Sequence, residues 1–403
     1  KYLVNNPHFV RIVLEPSPDL AAAELQEEKE ALQQQEENLT DTNKEKILAD
    51  AASLKKLQEE EDSNIDLLPK VTLFDVPKKV RTYPLVRQKM GSCDLFFHEA
   101  FTNHFVYTEL VFALPELTKE ELQAAHLMAK FLAQVGSGAR SYSQNLDYIQ
   151  EHTGGIGAGF SLNHQINDPR HITPLFHIKG KALSRKSDKL FSLLFDTVTR
   201  PDFTDRNRLK ELILKYWTSL RDSISRNALR YALNYSSQDL GLPFYLLELW
   251  GGVEHYNFMK ELSKNINESL DGLIQTFQKL QEKMFCLEDA HLIVTSDATD
   301  FSKSTETGFE GLIDLPKKPY TSWKGAIALP QMEKKPICKV IPSPVAFTAA
   351  SAELISYNNP ESACLSIASE LFENLTLHRR VREQGGAYGS GASYNPTSGL
   401  FYF

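Results

Sequence analysis

Cysteine is scarce in this 403-residue chain: the four present, Cys93, Cys286, Cys338 and Cys364, stand far apart and form no CxxC pair. That spacing excludes a disulfide framework and a zinc ribbon, and it makes a reducing soluble compartment the default. No apolar run approaches the ~20 residues that span a bilayer, so no membrane partner is expected. A basic excess is missing too. The net charge is −8, whereas a general nucleic-acid surface needs a cationic patch that neutralises phosphates and releases counterions. Nucleic acid is therefore not an expected partner, and peptides with basic residues suit this field better.

The familiar catalytic signatures are absent as well. A zinc hydrolase needs neutral His nitrogens and a carboxylate converging on the metal, which one helix supplies as HExxH or as the inverted HxxEH. His98-Glu99 has Thr102 where the second His should stand, and the pairs Glu151-His152 and Glu254-His255 have Tyr148 and Gly251 where an inverted motif carries His. GGIGAG and GGAYGSG miss the dinucleotide fingerprint, no phosphate loop occurs, and Gly391 to Asn395 lacks the last glycine of GxSxG. The chain alone is expected to bind no stoichiometric zinc and to cleave no peptide.

What is present is a globular composition, 42% hydrophobic and 24% charged, with several composition shifts. Phe9 to Leu14 (FVRIVL) reads as a strand without a hairpin partner, the closing strand of a preceding domain over residues 1–16. Residues 17–65 are rich in Ala, Leu, Glu, Gln and Lys and carry two helix starts, Ser17-Pro18 and the capping box Thr42 to Glu45. They predict a polar helical hairpin linker. Beyond it, VTLFDV, CDLFFHEAF, HFVYTELVFAL, HITPLFHIKGKAL and HLIVTSD alternate with long helical runs. That mixture predicts an α+β fold, with helices packed on one face of a mixed or antiparallel sheet. The proline-rich segment at 314–323 predicts a boundary, giving one complete domain at 66–314 and the first part of a second at 315–403. Both ends read as cut from a longer protein.

The order of elements repeats. TELVFALPEL at Glu109, a helix containing AAHLMAKFLAQ and YIQEHTGGIGAGFSLN are matched by AELISYNNPE at Glu353, a helix containing SACLSIASELF and RVREQGGAYGSGASYN. Glu151 falls near Glu383, Gly154-Gly155 near Gly385-Gly386, and Asn163 near Asn395. Two modules of one fold are the simplest account. In the second, Arg382 and Tyr388 flank the glycine pair, with Arg379 and Arg380 nearby. The first has neither, and its helix carries HLMAK at His126 to Lys130.

HRRVREQGGAYGSGASYNPTSG resembles the signature in the C-terminal half of the pitrilysin or insulinase-type zinc peptidases, closest to the presequence protease branch. The helical hairpin and the repeated α+β module extend the resemblance over essentially the whole chain. It implies a clamshell of two halves closing on an unstructured peptide. Zinc would be bound by the N-terminal half of the same protein, and Arg382 and Tyr388 would serve as the substrate-binding and catalytic residues of this half. It also implies a bacterial cytoplasm or an organelle matrix. Tyr388 would donate to the tetrahedral oxyanion and Arg382 would hold substrate carbonyls or an acidic group. The competing reading is a non-catalytic structural or peptide-binding relative, in which Arg382 forms a surface salt bridge and Tyr388 packs.

Overall fold

The computed structural model describes residues 6–15, 17–59, 69–91, 93–285, 290–315, 321–332 and 335–403. The last residues of the expected hairpin, residues 316–320 of the proline-rich segment and Cys286 lie outside these. The chain separates into two compact units, Lys1–Pro77 and Lys78–Phe403.

In the first unit α1 spans Leu20–Glu37 and α2 spans Asp41–Glu59. Both start elsewhere than the sequence signals suggest. Asp19, not Ser17, precedes α1, and its side chain makes no cap hydrogen bond. Thr40 rather than Thr42 opens α2, its hydroxyl accepting from the Asn43 N–H at 3.3 Å, which satisfies one of the donors left open at a helix start. Residues 6–15 contain no strand, with Phe9 to Leu14 exposed. VTLFDV is no strand either. The Asp75 carboxylate accepts from the Thr72 N–H at 2.8 Å and the Thr72 hydroxyl at 2.9 Å, closing a turn. Those bonds hold the Asp75 carboxyl below its usual range, and a local side-chain turn thus overrides strand propensity.

The second unit is built on a sheet of six strands. Its elements run β1 (Val86–Met90), β2 (Cys93–Glu99), β3 (Phe105–Ala113), α3 (Lys119–Phe131), the short β4 (Gly136–Ser137), α4 (Tyr142–His152), β5 (Ile156–Gln165) and β6 (Asp168–Leu183). There follow α5 (Ser187–Thr199), the short β7 (Pro201–Asp202), α6 (Arg206–Ser223), α7 (Ala228–Ser237), α8 (Leu242–Gly251), α9 (Val253–Lys264), α10 (Ile266–Met284), β8 (His291–Ser296) and α11 (Ala298–Glu306). The sheet order is β1-β2-β8-β3-β6-β5. Only β2 and β8 run parallel; the other neighbours are antiparallel. Period-two alternation sets the buried face: Cys93, Leu95 and Phe97 of β2 point inward, as do Leu292 and Val294 of β8. Helices cover that face with Leu122, Ala125 and Met128 of α3, Phe191 and Leu194 of α5, and Phe277 and Leu280 of α10. Capping boxes fix the starts of α3 at Thr118 and Glu121 and of α4 at Ser141 and Gln144.

The remaining elements are β9 (Ser351–Glu353), α12 (Ser362–Leu371) continuing as a wide π-type helix over Phe372–Gln384, β10 (Ser393–Asn395) and β11 (Leu400–Tyr402). They form a sheet of order β10-β11-β9, antiparallel throughout. In the larger sheet β5-β6-β3 has the same succession and the same directions. The repeat seen in the sequence is therefore a repeat of topology. The copies differ in their helices, since α3 and α4 of the first are separate whereas the second carries one unbroken helix from Ser362 to Gln384.

Candidate functional site

The unbroken helix ends at the glycine pair. A Cβ on Gly385 would stand 2.6 Å from the Val381 carbonyl oxygen, and Gly386 takes φ +73°, a left-handed conformation that costs any other L-residue strain. That conformation lets the Gly386 N–H reach Arg382 O at 3.0 Å and the Ala387 N–H reach Val381 O at 3.2 Å. The chain then runs without regular structure until β10. Its far end is fixed: the Ala392 N–H donates to Glu373 Oε2 at 3.1 Å, and the buried Tyr394 donates its hydroxyl to Ile355 O.

Between these anchors Tyr388 is 89% exposed, and no hydrogen bond of its hydroxyl is found among the described residues. Arg382, also exposed, sits on the last turn of the helix and directs Nη1 to His378 Nε2 at 3.0 Å. His378 in turn has Nδ1 3.4 Å from Glu383 Oε1. The two expected site residues thus stand on opposite sides of one glycine turn, Arg382 braced within a His–Glu group and Tyr388 unengaged. Neither alternative role is what the geometry gives them: Tyr388 is not packed, and the recorded partner of Arg382 is an imidazole. Sequence reading missed His378. The clue was its spacing of four residues from Arg382 on a helix, a distance at which side chains meet.

The family described as peptidase M16, subfamily C, associated matches residues 14–262. The chain belongs to that family. Over its whole length it is similar to presequence proteases, 24% identical to presequence protease 1, chloroplastic/mitochondrial, of Arabidopsis thaliana and 26% identical to the mitochondrial presequence protease of Yarrowia lipolytica. It spans about two-fifths of these relatives, 37% and 40% of their lengths. Among solved structures, a conserved protein from Enterococcus faecalis V583 aligns with a TM-score of 0.53 at 15% identity, covering 79% of this chain and 74% of the other. These findings put the chain in the C-terminal half of the presequence protease branch of the pitrilysin-type peptidases. No described helix is long and apolar enough to cross a membrane.

In this peptidase-associated chain the first module shows what a glycine turn without a donor set looks like. Gly155 has φ +104°, matching Gly386 in hand, but β5 starts at the next residue and the partly buried Ile156 packs against the core. Its helix α3 carries His126, whose ring lies 5.1 Å edge-on from His255 and 6.4 Å from Trp250. Burial pushes His126 well below its ordinary value and His255 down to about 4, so both are neutral near pH 7. Burial also lifts Tyr216 to about 12, and its hydroxyl donates to His255 Nε2 at 2.9 Å. Met128, Ala129 and Lys130 follow His126, so no Glu-His pair accompanies it. The residues of α3 do not fit a catalytic zinc; they fit an aromatic core.

Proposed function

We propose that the full-length protein is a zinc metalloendopeptidase that degrades unstructured peptides between two halves, and that this chain is the half facing the metal. Zinc, bound by the N-terminal half, would supply the Lewis acid that activates water. What this chain adds is a hydrogen-bond donor and a fixed positive charge. The Tyr388 hydroxyl donates to the oxyanion that forms when a peptide carbonyl becomes tetrahedral. The Arg382 guanidinium, charged at any working pH, holds substrate carbonyls or an acidic group through its planar donors. The Gly385-Gly386 turn carries both on an anchored loop, so neither needs large rearrangement to meet substrate. The presequence proteases it resembles are mitochondrial or chloroplastic by name, and an organelle matrix is the compartment we propose.

The observation that carries this reading is the exposure of Tyr388 on a loop that the first module lacks. A residue that stabilises nothing in the fold has its use outside it. The test is peptide turnover by the full-length protein with Tyr388→Phe. Loss of one oxyanion donor typically lowers turnover roughly 100- to 1000-fold, with zinc content and melting temperature unchanged. Full turnover at unchanged stability removes Tyr388 from the site, and absence of turnover in the parent protein favours a non-catalytic peptide-binding relative.

A further inference from the structure

The sheet topology brings a second group of chemically able side chains together, far in sequence from the glycine turn. Strands β2 and β8 are parallel and in register at Glu99 and Ser296, so they end at the same edge. Strand β3 runs antiparallel to β8 and therefore starts at that edge. The loop before β3 carries His104, and the loop after β8 carries Asp297, which leads into α11 with Asp300 in its first turn. One ligand atom from each of His104, Asp297 and Asp300 lies within 4.8 Å of the others.

Both carboxylates stand where a helix start would normally employ them. Aspartates at these positions commonly cap free N–H groups, yet Asp297 makes no side-chain cap hydrogen bond. Its Oδ2 has one long contact, to the Thr102 hydroxyl at 3.5 Å. Asp300 is only 9% exposed, and among the described residues its carboxylate has no hydrogen-bond or ion-pair partner. An ionised carboxylate is not buried without compensation at small cost. Nor does the imidazole supply it, because no direct hydrogen bond or ion pair joins His104 to either aspartate. The donors are too far apart to bond one another and close enough to share an ion. Around zinc- or magnesium-sized ions, donors at about 2.0–2.2 Å stand at most about 4.4 Å apart, and around calcium about 5 Å.

The groups are also held. His104 O accepts from the Ser184 N–H at 2.8 Å, and the Thr102 hydroxyl donates to Phe105 O at 2.6 Å. On the other side Phe301 stacks on Phe97 of β2 with ring centroids 3.7 Å apart, fixing the first turn of α11 against the sheet. The exposed side of His104 leaves room for water ligands.

We propose that His104, Asp297 and Asp300 form a structural divalent-cation site that clips the loop before β3 to the start of α11. One imidazole and two carboxylates match a borderline ion such as manganese(II), with water completing its coordination, better than calcium, which prefers oxygen throughout. This revises the expectation that the chain takes up no metal. That expectation came from the missing HxxEH helix and concerned donors on one helix, whereas these come from two loops. The site has no scissile-bond chemistry and is separate from the zinc of the proposed active site.

The test is titration of the metal-free 403-residue chain with manganese(II), followed by electron paramagnetic resonance and thermal melts. One ion per chain should bind, and it should raise the melting temperature because it binds only the folded form. Asp300→Asn, nearly isosteric, should abolish both effects, and the exposed His104→Gln should weaken binding at least tenfold. Saturable binding absent up to about 1 mM, the weak end of biological cation sites, overturns the proposal. So does binding that both variants retain, or calcium binding more tightly than manganese. If Asp300→Asn fails to fold, His104→Gln decides.

Discussion

Arg382 Nη1 and His378 Nε2 are 3.0 Å apart on one helix, and only one protonation pattern allows the contact. A guanidinium can only donate, so His378 Nε2 accepts and the ring proton sits on Nδ1, facing Glu383. The neutral ring therefore acts as a spacer that holds the arginine away from the carboxylate beside it. This leaves the remaining donors of Arg382 for a ligand.

Replacing Arg382 with Ala in the full-length protein should raise the Michaelis constant for peptides more than it lowers kcat, if the guanidinium holds substrate in ground and transition states alike. His378→Ala should act in the same direction but less, about two- to tenfold, the size of one exposed hydrogen bond. Steady-state kinetics beside thermal melts check both, and neither change should move the melting temperature measurably.

The glycine turn separates strain from collision. Gly386→Ala meets no atom within 4 Å but must hold φ +73°, so it should cost about 1 kcal/mol. Gly385→Ala meets Val381 O at 2.6 Å and should unwind the last helical turn. Turnover should fall further for Gly385→Ala than for Gly386→Ala, with far-ultraviolet circular dichroism and urea melts reporting the structural share.

The buried groups give the second unit a two-sided pH response. His255, held down to about 4 from 6.5, stays neutral in the fold while the unfolded chain takes up a proton. Its stabilising share is thus complete above pH 6.5 and is lost as pH falls toward about 4. Glu248 behaves oppositely: burial raises it from 4.5 to about 7, so its share is complete below 4.5 and is lost as pH rises through 7. His255→Gln should flatten the acid limb and Glu248→Gln the neutral limb, each by at most about 1.4 kcal/mol per pH unit. Urea unfolding across this range distinguishes them.

The 403-residue chain by itself should cleave no peptide, with or without added zinc or manganese. Fluorogenic peptides incubated with the purified chain check this. Cleavage that disappears in Asp300→Asn would make the cation site catalytic, against the structural role proposed for it.

Much of the sheet was legible because β2, β3, β6 and β8 are marked by apolar residues in period two, and burial of one face enforces that pattern. The repeated glycine pair was legible too, since a left-handed turn restricts the residue types that fit. Other features depend on contacts that no window contains. VTLFDV has strand composition, but Thr72 and Asp75 close on each other first. FVRIVL has the same composition and forms no strand among the described residues. Arg382 and Tyr388 were visible as a motif, whereas the brace at His378 required the helix to be known in space. Thr102 and Asp297 are 195 positions apart, and only the strand order of the sheet places their loops together.

The exposure of Tyr388 bears on how this position can vary. Its side chain touches no core, so folding screens out no replacement there, and intolerance to substitution would report only on what meets the tyrosine from outside. At Ile156 the filter is the reverse, because packing of β5 rejects variants before any encounter matters. Two copies of one turn have thus come under different judges. A comprehensive substitution library scored once for abundance and once for activity would show the first turn conserved by the former and the second by the latter.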